Sequence, residues 1–262
     1  MATVKAIMDF MEKTAPLRLT SKDDNAGLLV GSCEDKADKV MLCLDITVDV
    51  INEAAEKHAD VIISHHPIIF KPSLSSISVQ HPAGLALKKG IACLCYHTSL
   101  DIADGGITDM MYSLLKEPLG LGEKLGFLEQ VCEDKGFGLI CNMNEPVEPK
   151  KAAHMIKETF GCSVLRYHDG GKPLKKIAFC SGGGDWLSPV ATRLGADAYL
   201  CGDIRHHHFI AAQNEGYSIF DAGHYHTEVI FIPCLKKRLE EAFPALEIFT
   251  AQSCSDPAGY IF

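Results

Sequence analysis

Two stretches of the chain, residues 39–101 and 175–228, run through the same order of patterns: strand, helix, strand, helix, strand. This internal repeat constrains the fold more than any other feature. In the first copy, residues 39–45 are an apolar run closed by Asp45. Residues 48–58 carry Val48, Ile51, Ala54 and Ala55 at helical spacing. Residues 60–64 form a β-branched run that delivers His65 and His66. Residues 82–89 suit a helix ended by Gly90, and residues 91–97 are a third strand that delivers His97 and then Asp101. In the second copy, the strand 175–180 is followed by Ser181-Gly182-Gly183-Gly184 and a helix over 187–194. Ala196-Asp197 then echoes Ala59-Asp60 at the head of a strand over 196–201, which delivers Gly202, Asp203 and the histidines 206–208. A helix through 211–215 ends at Gly216, as the earlier one ends at Gly90, and the strand 217–221 delivers His224 and Glu228.

Alternating strands and helices imply mostly parallel sheets covered by helices. The expected fold is therefore α/β, with two pseudo-related αβα lobes. Their expected extents are 1–125 and 126–262, with residues 229–262 packing back on the first. Ligands of such sheets bind beyond the carboxyl ends of the strands, and the polar residues of both copies fall there. One metal site in the cleft between the lobes is the economical expectation. Residues 118–174 are less regular, with a helix expected over 151–160, strands over 137–141 and 162–167, and no catalytic constellation. Residues 228–243 have the spacing of a helix interrupted by Pro233, and 246–250 suit a last strand.

Eight of the twelve histidines lie at 65–66, at 97 and between 206 and 226. Histidine is both the commonest metal ligand and a base near neutral pH, so this clustering asks for chemistry. His224 and Glu228 are four apart, which puts both on one face of a helix starting near His224. Asp101, expected on a strand-end loop, adds a hard oxygen donor. Together His65, His66, Asp101, His224 and Glu228 offer three imidazoles and two carboxylates. That set exceeds the need of one tetrahedral zinc and suits two ions bridged by a carboxylate. Mixed nitrogen and oxygen donors without thiolate favour zinc, iron or manganese over calcium. Ser181-Gly-Gly-Gly-Asp185 reads either as a phosphate cradle or as a plain tight turn. His206 and His208 are expected on a solvated surface, while His207 or Asp203 could support the ligands.

Composition excludes several alternatives. With 34 acidic against 25 basic residues the net charge is −9, and no basic stripe is present to release counterions, so nucleic-acid binding is not expected. Apolar runs such as 61–63 and 91–95 are far too short to span a bilayer. The first twelve residues carry frequent charges and no signal-peptide core, so a cytoplasmic location is expected. The eleven cysteines then read as reduced thiols, several of them small hydrophobes inside strands.

Asp24-Asn-Ala-Gly-Leu-Leu-Val-Gly31, Ser64-His-His-Pro67, His97-Thr-Ser-Leu-Asp101, Gly202-Asp203 and Asp221-Ala-Gly-His-Tyr-His-Thr-Glu228 follow one another in order. In this set the chain resembles the GTP cyclohydrolase I type 2 homologue family, also called Nif-three-like proteins. The resemblance implies a two-lobed α/β subunit and a dinuclear metal site built from His65, His66, Asp101, His224 and Glu228. It also implies a ring-shaped homohexamer. Ser99 stands where the family often has Asn, and His226 where a small residue is common; neither is one of the five. The functional expectation is a metal-dependent hydrolase acting on a nucleotide or related small molecule, with His97 and His207 as the candidate general bases. The alternative is a metal-binding regulatory or chaperone-like protein without turnover.

Overall fold

A computed structural model describes residues 2–70 and 76–261. Its first elements are α1 (Val4–Thr14), β1 (Gly27–Val30), β2 (Lys39–Cys43), α2 (Val48–Glu56), β3 (Val61–Ser64), α3 (Pro82–Lys89), β4 (Ala92–Cys95) and α4 (Thr98–Ile102). There follow α5 (Ile107–Leu119), β5 (Leu121–Cys132), β6 (Lys135–Val147), α6 (Pro149–Phe160), β7 (Arg166–His168), β8 (Leu174–Phe179) and α7 (Ser188–Arg193). The order closes with β9 (Ala198–Cys201), α8 (His206–Glu215), β10 (Ser218–Asp221), α9 (His224–Glu228), α10 (Phe231–Ala242) and β11 (Glu247–Thr250). Among the described residues, no helix is long and apolar enough to cross a membrane.

These elements form two compact units, Met1–Gly106 with Phe231–Ser255, and Ile107–Ile230 with Asp256–Phe262. The boundary stands at 106/107 rather than 125/126 because α5 packs on β5, β6 and α6. The first unit holds a five-stranded sheet in the order β1-β4-β3-β2-β11, parallel except at β1. Its apolar strands are closed to solvent on both faces, as parallel strands under helices must be. Helix α2 starts on the Thr47 hydroxyl, which accepts from Val50 N at 3.2 Å, and it buries Val50, Ile51 and Ala54 on one stripe. Pro82 at the first turn and left-handed Gly90 at the end frame α3.

The second unit holds a six-stranded sheet in the order β5-β6-β8-β9-β10-β7. Its parallel core β8-β9-β10 is the second copy of the repeat, and the likeness reaches individual hydrogen bonds. Asp60 Oδ2 accepts from Asp38 N and Lys39 N at 2.8 and 2.9 Å. Asp197 Oδ2 accepts from Lys175 N and Lys176 N at 2.9 and 3.0 Å. Each carboxylate thus ties the start of one strand to the start of its parallel neighbour. Gly90 and Gly216 end their helices at φ 69° in both copies. Left-handed Gly195 before Asp197 is matched by His58 at φ 55°, a conformation glycine would adopt at lower cost.

The middle differs most from its expected pattern. The reading over 137–141 captures only part of β6, and β5 is absent from it; the two form a long antiparallel hairpin that runs along β8. β5 escapes periodicity because most of it is exposed or half-buried, so no apolar face marks it. The strand over 162–167 shortens to β7, which pairs antiparallel with β10. Residues 228–243 are not one interrupted helix: α9 ends at Glu228 and α10 starts at Phe231, so Pro233 lies in a first turn, where its missing N–H is harmless.

The chain returns to the first unit through α10 and β11, and β11 adds to the sheet beside β2. Glu53 on α2 latches the segment just beyond β11. Its carboxylate accepts from Gln252 N at 3.0 Å, Ser253 N at 2.9 Å and Lys57 Nζ at 2.8 Å. Burial alone would raise this carboxyl, but the donors outweigh it and lower it from an ordinary 4.5 to about 2. A group depressed in this way stabilises the fold above its unfolded value and loses that effect as pH falls through its folded value. Glu53→Gln is expected to destabilise by about 2 kcal/mol at pH 7. The difference from wild type should shrink between pH 4.5 and 2, which urea unfolding across that range will check.

Candidate functional site

In the first unit, β3 delivers His65 and His66 as its last apolar residue gives way to Ser64. The Ser64 hydroxyl donates to His66 O at 2.7 Å and so fixes the turn. Each nearby imidazole is held at Nδ1. His65 Nδ1–H donates to Tyr96 O at 3.1 Å, His66 Nδ1 lies 2.7 Å from Asp45 Oδ1, and His97 Nδ1 lies 2.8 Å from Asp24 Oδ1. A carbonyl or carboxylate at Nδ1 fixes the tautomer and leaves Nε2 as the donor each ring can offer. His65, His66 and His97 are near enough for their ring nitrogens to share one ion. His65 is fully buried, with Nε2 3.8 Å from Asp101 Oδ2.

Asp101 is not on a loop. It is buried on α4, whose first turn is closed by Leu100 N donating to His97 O at 2.8 Å. Asp24 anchors this corner: its Oδ2 accepts from Thr98 N at 3.1 Å and from Thr98 Oγ1 at 2.6 Å. Burial would raise the Asp24 carboxyl, but bonds from His97 and Thr98 hold it well below the usual carboxylate range. It therefore stays an anion facing His97.

In the second unit, α9 carries His224 and Glu228 four residues apart, with Gly223 as its N-cap at φ 83°. Helices α4 and α9 are equivalents in the repeat, each of five residues and each following the last parallel strand. His224 Nδ1 lies 2.8 Å from Asp203 Oδ2, and His224 Nε2 lies 3.0 Å from Glu228 Oε2. A neutral imidazole has a proton for only one of two carboxylates, so this pair suits either an imidazolium or a metal cation shared with Glu228. Glu228 is buried. Asp221 fixes the approach, since Gly223 N donates to its Oδ1 at 3.0 Å and Ile204 N to its Oδ2 at 3.1 Å.

Two glycines create the room. A Cβ on Gly182, at φ 55°, would lie 2.0 Å from Glu228 Oε1, and one on Gly202 would lie 2.5 Å from His224 N. Gly182 N donates to Thr227 Oγ1 at 3.0 Å. The glycine-rich segment therefore packs against α9, which favours the tight-turn reading over a phosphate cradle. His208 overturns its surface expectation: α8 begins at His206, five residues earlier than expected, and turns His208 inward. Its Nε2 lies 3.4 Å from Asp185, which Arg205 grips with two bonds of 2.7 and 3.0 Å. Burial pushes the His208 imidazole down toward its neutral form. His206 and His207 are exposed, with the His207 ring 4.2 Å from that of His208. His226 pairs with Asp256 at 3.4 Å.

Asp24 and Asp45, which hold two of the imidazoles, do not stand out in the sequence. Asp45 closes the first apolar run and Asp24 opens the first motif, so each has a visible place but no visible partner. Cys43, Cys93, Cys95, Cys180 and Cys201 are buried as small hydrophobes, while Cys234 is exposed; burial pushes Cys93 and Cys141 up to about 12.

The chain and its fold are similar to those of known proteins. The family described as Duf34/NIF3 (NGG1p interacting factor 3) matches residues 2–257. The chain belongs to the Duf34/NIF3 family. Relatives named GTP cyclohydrolase 1 type 2 homolog include one from Lactococcus lactis, 32% identical over 96% of this chain and 98% of its own. Another from Clostridium acetobutylicum is 31% identical over 94% and 93%. The fold is shared with a solved hypothetical protein of Staphylococcus aureus, at TM-score 0.85 and 25% identity over 99% of both chains. In this NIF3 chain, as a matter of its own donors, buried imidazoles and carboxylates form groups that could hold a metal ion.

Proposed function

We propose that His65, His66, Asp101, His224 and Glu228 are the ligands of two divalent cations, zinc, iron or manganese, and that the protein is a hydrolase of a nucleotide or related small molecule. The observation that carries this reading is the anchoring of each imidazole through Nδ1: Tyr96 O holds His65, Asp45 holds His66 and Asp203 holds His224. Metal-ligating histidines commonly donate their other ring nitrogen to a carbonyl or carboxylate, which fixes the tautomer and orients the ring. The relatives' name, GTP cyclohydrolase 1 type 2 homolog, directs the substrate toward guanine nucleotides. When bound, two such ions lower the pKa of a water and polarise a substrate oxygen.

The chain supplies the rest. Asp24 accepts the Nδ1 proton of His97, which keeps Nε2 as a base able to take a proton from water or return one to a leaving nitrogen. His97 is favoured over exposed His207 for this role because it lies with His65 and His66. A homohexamer, which rests on the family resemblance, and a cytoplasmic location belong to the same proposal. To test the reading, protein purified without chelator is assayed for bound metal and for turnover of GTP, other nucleotides, phosphoesters and cyclic amides, beside His66→Ala. Two equivalents of metal and turnover lost in the variant are expected. Metal without turnover of any substrate would replace the hydrolase with a metal-binding regulatory or chaperone-like protein, and absence of metal would overturn both.

A further inference from the structure

The second unit has a cavity of about 390 Å³ between α6 and the segment entering β7. Lys150, His154 and Lys157 line it from one face of α6, at spacings of four and three, while the opposite face of that helix is buried through Ala152, Ile156 and Phe160. The other wall is apolar, from Val164 and Leu165, and carries the ring of Tyr167, which is 40% exposed. Among the described residues, none of the three basic side chains is paired with a carboxylate. In a chain of net charge −9, three basic groups left uncompensated around one concavity stand out. Some lysines elsewhere on the surface sit beside acids, as Lys5 does with Asp9 and Lys124 with Asp109.

We propose that this cavity binds a nucleoside di- or triphosphate. Lys150 and Lys157 are separated by roughly 10 Å along the helix, a length that suits a chain of phosphoryl groups better than a single carboxylate. The volume falls in the range of small-molecule sites, and the apolar wall with Tyr167 offers a flat base a surface to stack on. A long polyanion is disfavoured, because the remaining surface of so acidic a protein repels it. None of the lining residues is among the proposed metal ligands.

The test is titration calorimetry of ADP, ATP, adenosine and pyrophosphate into the protein as purified, into Lys150→Gln/Lys157→Gln and into His66→Ala. His66→Ala, which disables the proposed metal centre, should still bind ADP and ATP at this cavity. The double glutamine variant should bind them at least tenfold more weakly, and rising salt should weaken binding. Adenosine should give no heat, and Tyr167→Ala should weaken ADP but not pyrophosphate. Binding lost in His66→Ala and kept in the lysine variant would move the nucleotide to the metal ligands and overturn the proposal. So would pyrophosphate binding as tightly as ADP, or the absence of binding at millimolar nucleotide. Glutamine at exposed helix positions preserves the fold, which circular dichroism verifies.

Discussion

Glu228→Gln is expected to reduce metal affinity at least tenfold and to abolish hydrolysis, while the fold is kept. The substitution preserves volume but removes the charge beside His224 Nε2, where the oxygen now lies 3.0 Å away. A carboxylate this buried is costly to hold as an anion unless a cation compensates it, so the neutral amide should not destabilise the metal-free protein. Metal analysis, unfolding curves and activity on the same preparations check each part. Unchanged metal content at neutral pH would remove Glu228 from the ligand set. In the wild type, metal content should fall as pH drops and the imidazoles protonate, because only neutral histidine ligates.

Substituting the two glycines that face α9 should separate geometry from stability. In Gly182→Ala the new methyl group meets the Glu228 carboxylate at 2.0 Å, and that side-chain end can swing away. The expected outcome is a cost of about 1–2 kcal/mol from the left-handed backbone, with metal binding lost because the carboxylate is displaced. In Gly202→Ala the methyl group meets His224 N at 2.5 Å, and backbone cannot swing away without moving α9. That variant should lose more than about 3 kcal/mol or fail to accumulate folded. Thermal unfolding and metal content, measured on both, should separate the two effects: Gly202→Ala the less stable, Gly182→Ala a folded protein without metal. Equal stability and intact metal in both would show that these contacts are not constraining.

Much of the first unit was legible in the chain. Parallel strands buried on both faces leave continuous apolar runs, and β2, β3, β4 and β8 to β10 are read directly from them. The capping glycines Gly90 and Gly216 were equally plain, since left-handed helix ends favour that residue. The five candidate donors stand out in the sequence because they follow those strands and lie in the motifs that resemble the family's. By contrast, β5 left no such trace, because this outer strand buries almost nothing and is held by backbone pairing that side chains do not encode.

The sequence by itself determined the repeat, the candidate metal-type donors and the segments that carry them, since those depend on local periodicity and on residue type. Tertiary structure decided how each donor is held. Asp45 meets His66 from another strand end, Asp24 reaches His97 across 73 positions of chain, and Asp203 meets His224 over 21. It also turned His208 inward, put Asp101 on a helix and gave Gly182 its contact with Glu228. Such contacts join residues far apart in the chain, and their energies depend on burial and on the direction of a single nitrogen or oxygen. No local pattern carries that information, because packing fixes it only once the strands are paired.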